Sequence, residues 1–184
     1  MKNILKNKAF AAAVCAVLIF MGIFAGVRRP FGNMKDEALV YFHGNDEVIG
    51  IKDDLDVKVE TAYSLMSIAN KYDGIEDDLI TDLEKACIDV RESDSPEEAF
   101  EANADMDRLY GKLKESLDGI RLSEKDKNYN YSLLAQYNSA DMIILNSEYN
   151  VCAKKVNDAL SKFPANILSK VAFVGKMEYY GEVK

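Results

Sequence analysis

Nucleophilic, acid–base and metal chemistry draws heavily on histidine and cysteine, and this chain offers few of either. His43 is the sole histidine, and Cys15, Cys87 and Cys152 are the only cysteines among 184 residues. A serine or thiol becomes a strong nucleophile when an imidazole sits beside it, so His43 is the single candidate base for such a pair. Neither a second histidine nor a close-spaced cysteine accompanies it, as a zinc site would need. His43 therefore reads as a surface residue and the three thiols as buried or idle. Cys15 falls in an apolar run, which leaves Cys87 and Cys152 as the one possible disulfide pair of the polar part, a question the spacing leaves open.

Carboxylates are plentiful, so their presence discriminates little. Asp53, Asp54 and Asp56 in "DDLDVKVE" invite comparison with a calcium loop. Such a loop needs alternating oxygen ligands, a glycine at its sixth position and a closing glutamate. Here the glycine is missing and the apolar period is helical, so the three acids read as complements of a helix amino-terminal dipole. No phosphate-cradling glycine loop or kinase motif set occurs. No residue type or spacing points to a catalytic, cofactor-binding or metal-ligating role, and a protein that is not an enzyme is expected.

Charge narrows the partner classes. The net charge is −8, with 23 basic and 31 acidic residues, and the first 29 residues hold five bases (Lys2, Lys6, Lys8, Arg28, Arg29) and no acid. The remainder, at −13, repels phosphate backbones, and no nucleic-acid partner is expected.

"AFAAAVCAVLIFMGIFAGV", Ala9 to Val27, is 19 residues without a charge. As a helix it spans about 28 Å, close to the hydrocarbon thickness of a bilayer. A cleaved signal peptide would have a shorter apolar region ending in a small-x-small site. "IFAGVRRP" places Ile23 where the first small residue belongs, so a retained single-pass anchor at the cell membrane is expected. Lys2, Lys6 and Lys8 balance Arg28, Arg29 and Lys35, which leaves the orientation undecided.

Few prolines and glycines, with apolar residues at steps of three and four, predict an all-α chain. Leu55, Val59, Ala62, Met66 and Ala69 form one seam; Ile75, Leu79, Leu83, Ala86 and Val90 a second; Met106, Tyr110, Leu113, Leu117 and Ile120 a third. Asp73-Gly74 separates the first two helices, and "SDSPEEAF" starts the third with Ser95 as cap and Pro96 in the first position. Between Ile120 and Phe163 there is neither glycine nor proline. That run predicts one helix from about Glu124 to Lys162, with an apolar face of Met142, Leu145, Tyr149, Val156, Leu160 and Phe163. Three shorter helices would cover it in an elongated antiparallel up-and-down bundle of about four helices. The organisation expected is an anchor (1–29), a juncture (30–50), a helical bundle (51–174) and a carboxy-terminal tail (175–184). In the juncture, Met34–Phe42 suits a short helix and "ALVYFH" a strand.

Pro164 should end the long helix and open a short one, "PANILSKVAFV", with Phe163 and Ile167 folding back on the bundle end. Asn150 and Asn157, one heptad apart, should fix register by pairing with facing backbone or side chains. Tyr149-Asn150, Asn157, Phe163-Pro164 and Asn166-Ile167 together resemble the carboxy-terminal signature of the LemA family. "KACIDVRESD" is similar to that family's helix ending in Ala-Arg, and the single amino-terminal anchor matches too. Val156 replaces a second tyrosine of the pattern, and "VETAYSLMSIAN" lacks its arginine and proline. The resemblance implies a membrane-anchored bacterial helical bundle whose molecular function is unsettled. A protein-interaction or scaffold role with an unknown protein partner follows as the leading expectation. Self-assembly into homo-oligomers is the alternative, and an enzyme of unrecognised type the lesser one. The apolar "ILSKVAFV" would cap the bundle, join copies or touch the bilayer.

Overall fold

The computed structural model describes residues 8–182, and among these every regular element is helical. Helix α1 spans Lys8–His43, α2 Ile51–Ala69, α3 Asp77–Glu92, α4 Pro96–Asp118, α5 Glu124–Leu145, α6 Tyr149–Ser161 and α7 Ala165–Val171. Lys2 and Lys6, counted above for orientation, lie outside the described residues. The chain divides into two compact units. One comprises α1 as far as Ala38 together with Val151–Met177; the other runs from Leu39 to Asn150 and resumes at Glu178.

The second unit is built on α2–α5. Lys52 at the start of α2 donates to the carbonyls of Val90 and Ser93 at the end of α3, at 3.1 and 2.9 Å. At the other end of α2, Lys71 meets Asp126 at the start of α5 at 2.8 Å. These pairs make α2 antiparallel to both α3 and α5, as an up-and-down bundle requires. The most extensive helix pairs are α2 with α5 and α3 with α4. Every predicted seam residue of α2 is buried, and so are Leu83, Ala86, Val90, Met106, Tyr110, Leu113 and Leu117. At ~25 cal/mol per Å2, burial of such side chains is the main force holding the bundle together.

Local chemistry sets the helix ends. Asp53 Oδ2 accepts the Gly50 N–H at 2.8 Å, so the acid-rich start of α2 is a capping feature. Gly74, at φ +95°, adopts the left-handed geometry that ends the α2 turn. The Ser95 hydroxyl accepts the Glu98 N–H at 3.3 Å, with Pro96 opening α4.

Of the two readings of the juncture the helix holds, and it is continuous with the apolar helix: α1 runs unbroken through Pro30 to His43, where Gly44 at φ +78° stops it. The long helix needs correcting. The predicted helix from Glu124 to Lys162 is two helices, separated at Asn146–Glu148. The Asn146 side chain donates to the Met142 carbonyl at 2.6 Å, and the Ser147 hydroxyl accepts the Tyr149 N–H at 3.2 Å. Short polar side chains that bond nearby backbone compete with the helical ladder, and here they win. The apolar face changes accordingly. In α5 it is Leu133, Tyr137, Ala140 and Ile144 that are buried, while Met142 and Leu145 are exposed.

In the first unit, α6 buries Ala153, Val156, Asn157 and Leu160, and α1 buries Val27 and Ala38. Asn157 is matched twice with the backbone of Met177: its Nδ2 donates to the carbonyl at 2.9 Å, and its Oδ1 accepts the N–H at 2.7 Å. Pro164 stands at the head of α7, as expected. Phe163 and Ile167 do not fold inward, however; both are exposed.

A buried charge cluster as candidate functional site

The most concentrated polar chemistry lies inside the α2–α5 bundle, at residues the sequence reading did not single out. Lys58 projects from α2 between Leu55 and Val59 and is fully buried. Its ammonium meets Asp107 of α4 at 2.7 Å and Asp141 of α5 at 2.9 Å. It also lies 4.7 Å from the centre of the Tyr137 ring, in cation–π geometry. A buried ammonium is strongly unfavourable unless paired and hydrogen-bonded, and three helices contribute to satisfying this one.

The shell around it is connected. The Tyr137 hydroxyl donates to Asp107 at 2.7 Å, and Asn103 donates to the other Asp107 oxygen at 3.2 Å. The Tyr137 ring stacks on Tyr110, centroids 3.8 Å apart and planes 8° from parallel. Burial, with the Asp107 charge beside it, drives the Tyr137 phenol far above its usual range. Burial alone pushes Tyr110 up to about 12. Both phenols therefore stay protonated across the physiological range, as donors rather than bases.

The carboxy-terminal tail adds an edge to this unit. Asn150 Nδ2 donates to the Tyr180 carbonyl and its Oδ1 accepts the Tyr180 N–H, at 2.8 and 2.9 Å. The Tyr149 hydroxyl, on a ring 5.5 Å from Phe42, donates to the Glu178 carbonyl at 2.8 Å. Gly181 is required here twice over: its φ is +81°, and a Cβ would lie 2.8 Å from the Phe100 ring. Burial raises the Tyr180 phenol, and the negative charges of Asp107 and Asp141 raise it further. Its hydroxyl, with Tyr110 OH and Asn103 Oδ1, has no protein partner.

The cluster joins α2, α4 and α5 through one buried charge. Lys58 has no face on solvent, so it cannot attack a bound substrate. Asp107 and Asp141 are 39% and 40% exposed, so one side of the cluster is acidic and wet. The sequence signal was a lysine inside an apolar seam, with aspartates next to core positions Met106 and Ala140.

The residues weighed from sequence lie elsewhere. His43 is exposed and its ring meets Phe42 edge-on at 4.8 Å. Cys87 is buried; burial pushes its thiol up to about 11, and its Sγ lies 3.8 Å from Met106 Sδ. Such a thiol carries almost no thiolate near neutrality. All three cysteines are free. Among the described residues no group of three or more histidine, cysteine or acidic side chains is placed to hold a metal ion.

A second feature of this unit is apolar. Ile49, Met142 and Ile143 are 74%, 60% and 52% exposed. They line a groove of about 470 Å3 with Tyr41 and Val48, rimmed by Asp54 and Glu148. Burial raises the Asp54 carboxyl above its usual range, with Asp53 beside it adding to the shift.

Fold and site together define an all-α protein with a helical bundle around a buried charge cluster and one amino-terminal helix long and apolar enough to cross a membrane. Comparison with known protein families, with curated proteins and with solved structures finds no match.

Proposed function

We propose that this is a LemA-like, membrane-anchored helical bundle that works by binding another protein at the bacterial cell membrane. The observation that carries the binding role is the exposed Ile49–Met142–Ile143 groove. A bundle with a complete core has no internal use for three clustered large apolar side chains in water, and such patches commonly mark interaction surfaces. The exposed Glu148 at its edge favours a partner with a basic residue beside an apolar knob. Retention of the anchor is supported by the continuity of α1 through the region where a signal sequence would be cut. A non-enzymatic role is supported by the inaccessibility of Lys58 and Cys87.

A photo-crosslinking residue placed singly at Ile49 or Met142 should form adducts in native membranes. The same probe at Ile88, an exposed apolar position on α3, should not. Ile143→Asp should abolish the adducts while the bundle stays folded. Equal labelling from all three positions would refute the reading, and adducts consisting only of a second copy would favour self-assembly.

A further inference from the structure

We infer that the turn from α6 through α7 is a second membrane contact, seated in the headgroup region beside the anchor. Phe163, Ile167 and Phe173 are 80%, 56% and 81% exposed. Exposed Lys162, Lys170 and Lys176 are interspersed with them. Between Asp158 and Glu178 the chain has no acid, in a protein whose net charge is −8. Aromatic and aliphatic side chains mixed with lysine are what a segment lying in the interface of an anionic bilayer requires. A basic protein groove would match the acidic bundle helices better than this cationic turn.

Placement within the first unit agrees. That unit contains α1 as far as Ala38 and one other stretch, Val151–Met177. Val17, Leu18, Ile19 and Met21 are about as exposed as residues on a lone helix, whereas Val27, the last residue of the apolar run, is buried. The first buried position of α1 thus falls where the uncharged run gives way to Arg28 and Arg29.

The backbone at Phe173 points the same way. Ala172 ends α7, and Phe173 has φ +54°, while the Val174 N–H reaches back to the Ser169 carbonyl at 2.9 Å. That is a Schellman-type ending, in which the left-handed residue is usually glycine. A bulky side chain there costs conformational energy, yet the phenyl ring is left in water. Insertion into lipid gives that ring a use that the fold by itself does not.

The inference rests on α1 being a retained anchor, and the test separates the two ideas. The chain contains no tryptophan, so Phe163→Trp and Phe173→Trp each install a lone reporter. The full-length variants are reconstituted into vesicles of phosphatidylcholine and phosphatidylglycerol, with Leu145→Trp, an exposed bundle position, as control. Flotation after alkaline washing reads the anchor. Emission and quenching by lipids brominated on the acyl chain read the turn. For a side chain about 5–10 Å below the surface, both reporters should be blue-shifted and quenched at least about twofold more than the control. Exchanging phosphatidylglycerol for phosphatidylcholine should weaken the quenching. A chain that does not float overturns the anchor. A floating chain with solvent-like, unquenched reporters overturns this inference alone, as does a blue shift without quenching, which would mean cover by a second copy.

Discussion

At the residue scale, the Lys58 cluster makes an asymmetric prediction. Removing both carboxylates by Asp107→Asn with Asp141→Asn leaves a fully buried ammonium without a counter-charge, and should cost about 3–5 kcal/mol. Lys58→Met should cost clearly less. The methionine fills much of the same space, and the two aspartates, each about two-fifths exposed, regain water. Urea denaturation of the three proteins measures this. A larger loss from Lys58→Met than from the double asparagine variant would mean that the ion pairs contribute net stability rather than offsetting a burial cost. Asparagine is the other residue that matters at this scale. Asn150 and Asn157 are expected from the sequence to pair with facing backbone or side chains, and each pairs with backbone, matching the N–H and the C=O of one residue in the tail. Their spacing suits the purpose. Seven residues of helix rise about 10.5 Å, and the three residues from Met177 to Tyr180 cover about 10 Å when extended. What periodicity could not supply was the identity of the partner: a heptad marks a stripe on a helix but does not say what lies over it.

At the element scale, the joint between the end of α2 and the start of α5 carries an acid-sensitive contact. Asp126 accepts hydrogen bonds from Lys71, from the Tyr72 hydroxyl at 2.7 Å and from the Ser123 hydroxyl at 2.9 Å. Lys71 is the largest of the three influences that hold its carboxyl down to about 2, against an ordinary value of 3.8. The folded state therefore binds fewer protons than the unfolded one between those values. The stability this residue contributes is complete above the ordinary value and is lost as pH falls toward 2. Asp126→Asn should lower the urea midpoint near neutral pH, and its deficit relative to the parent should close as the solution is acidified through that window. A deficit unchanged with pH would show that the joint acts by shape alone. The break between α5 and α6 belongs to this scale too. Glycine and proline are the loudest helix terminators, and reading their absence from Ile120 to Phe163 as continuity missed the quieter pair Asn146-Ser147. With the break overlooked, the apolar stripe was carried one face too far, onto Met142, Leu145 and Phe163, all of which are exposed.

For the molecule as a whole, the proposed anchor is the property with the largest free energy behind it. Each arginine at the centre of a spanning helix costs about 2.5–3.5 kcal/mol on the insertion scale. Leu18→Arg with Ile19→Arg should therefore move the full-length chain from the membrane pellet to the soluble fraction. Continued resistance of that variant to alkaline extraction would place the attachment elsewhere on the chain. The distribution of charge reinforces the reading. The first 29 residues hold five bases and no acid, the stretch between Asp158 and Glu178 holds three lysines and no acid, and acids outnumber bases in the bundle.

The sequence by itself determined the all-α class, the apolar helix and the faces that α2 and α4 turn inward. These follow from local periodicity and from capping residues, both short-range properties of the chain. It also determined the helix that opens at Pro164, because proline acts on its immediate neighbours. Only the tertiary structure decided that Lys58, Asp107 and Asp141 converge, since they lie 49 and 34 positions apart along the chain and meet through helix packing. It alone decided that the tail returns to the asparagines of α6 and that Phe163, Ile167 and Phe173 stay outside. The physical reason is common to all three. A side chain's partner across space depends on which faces of separate elements are brought together, and no single element encodes that.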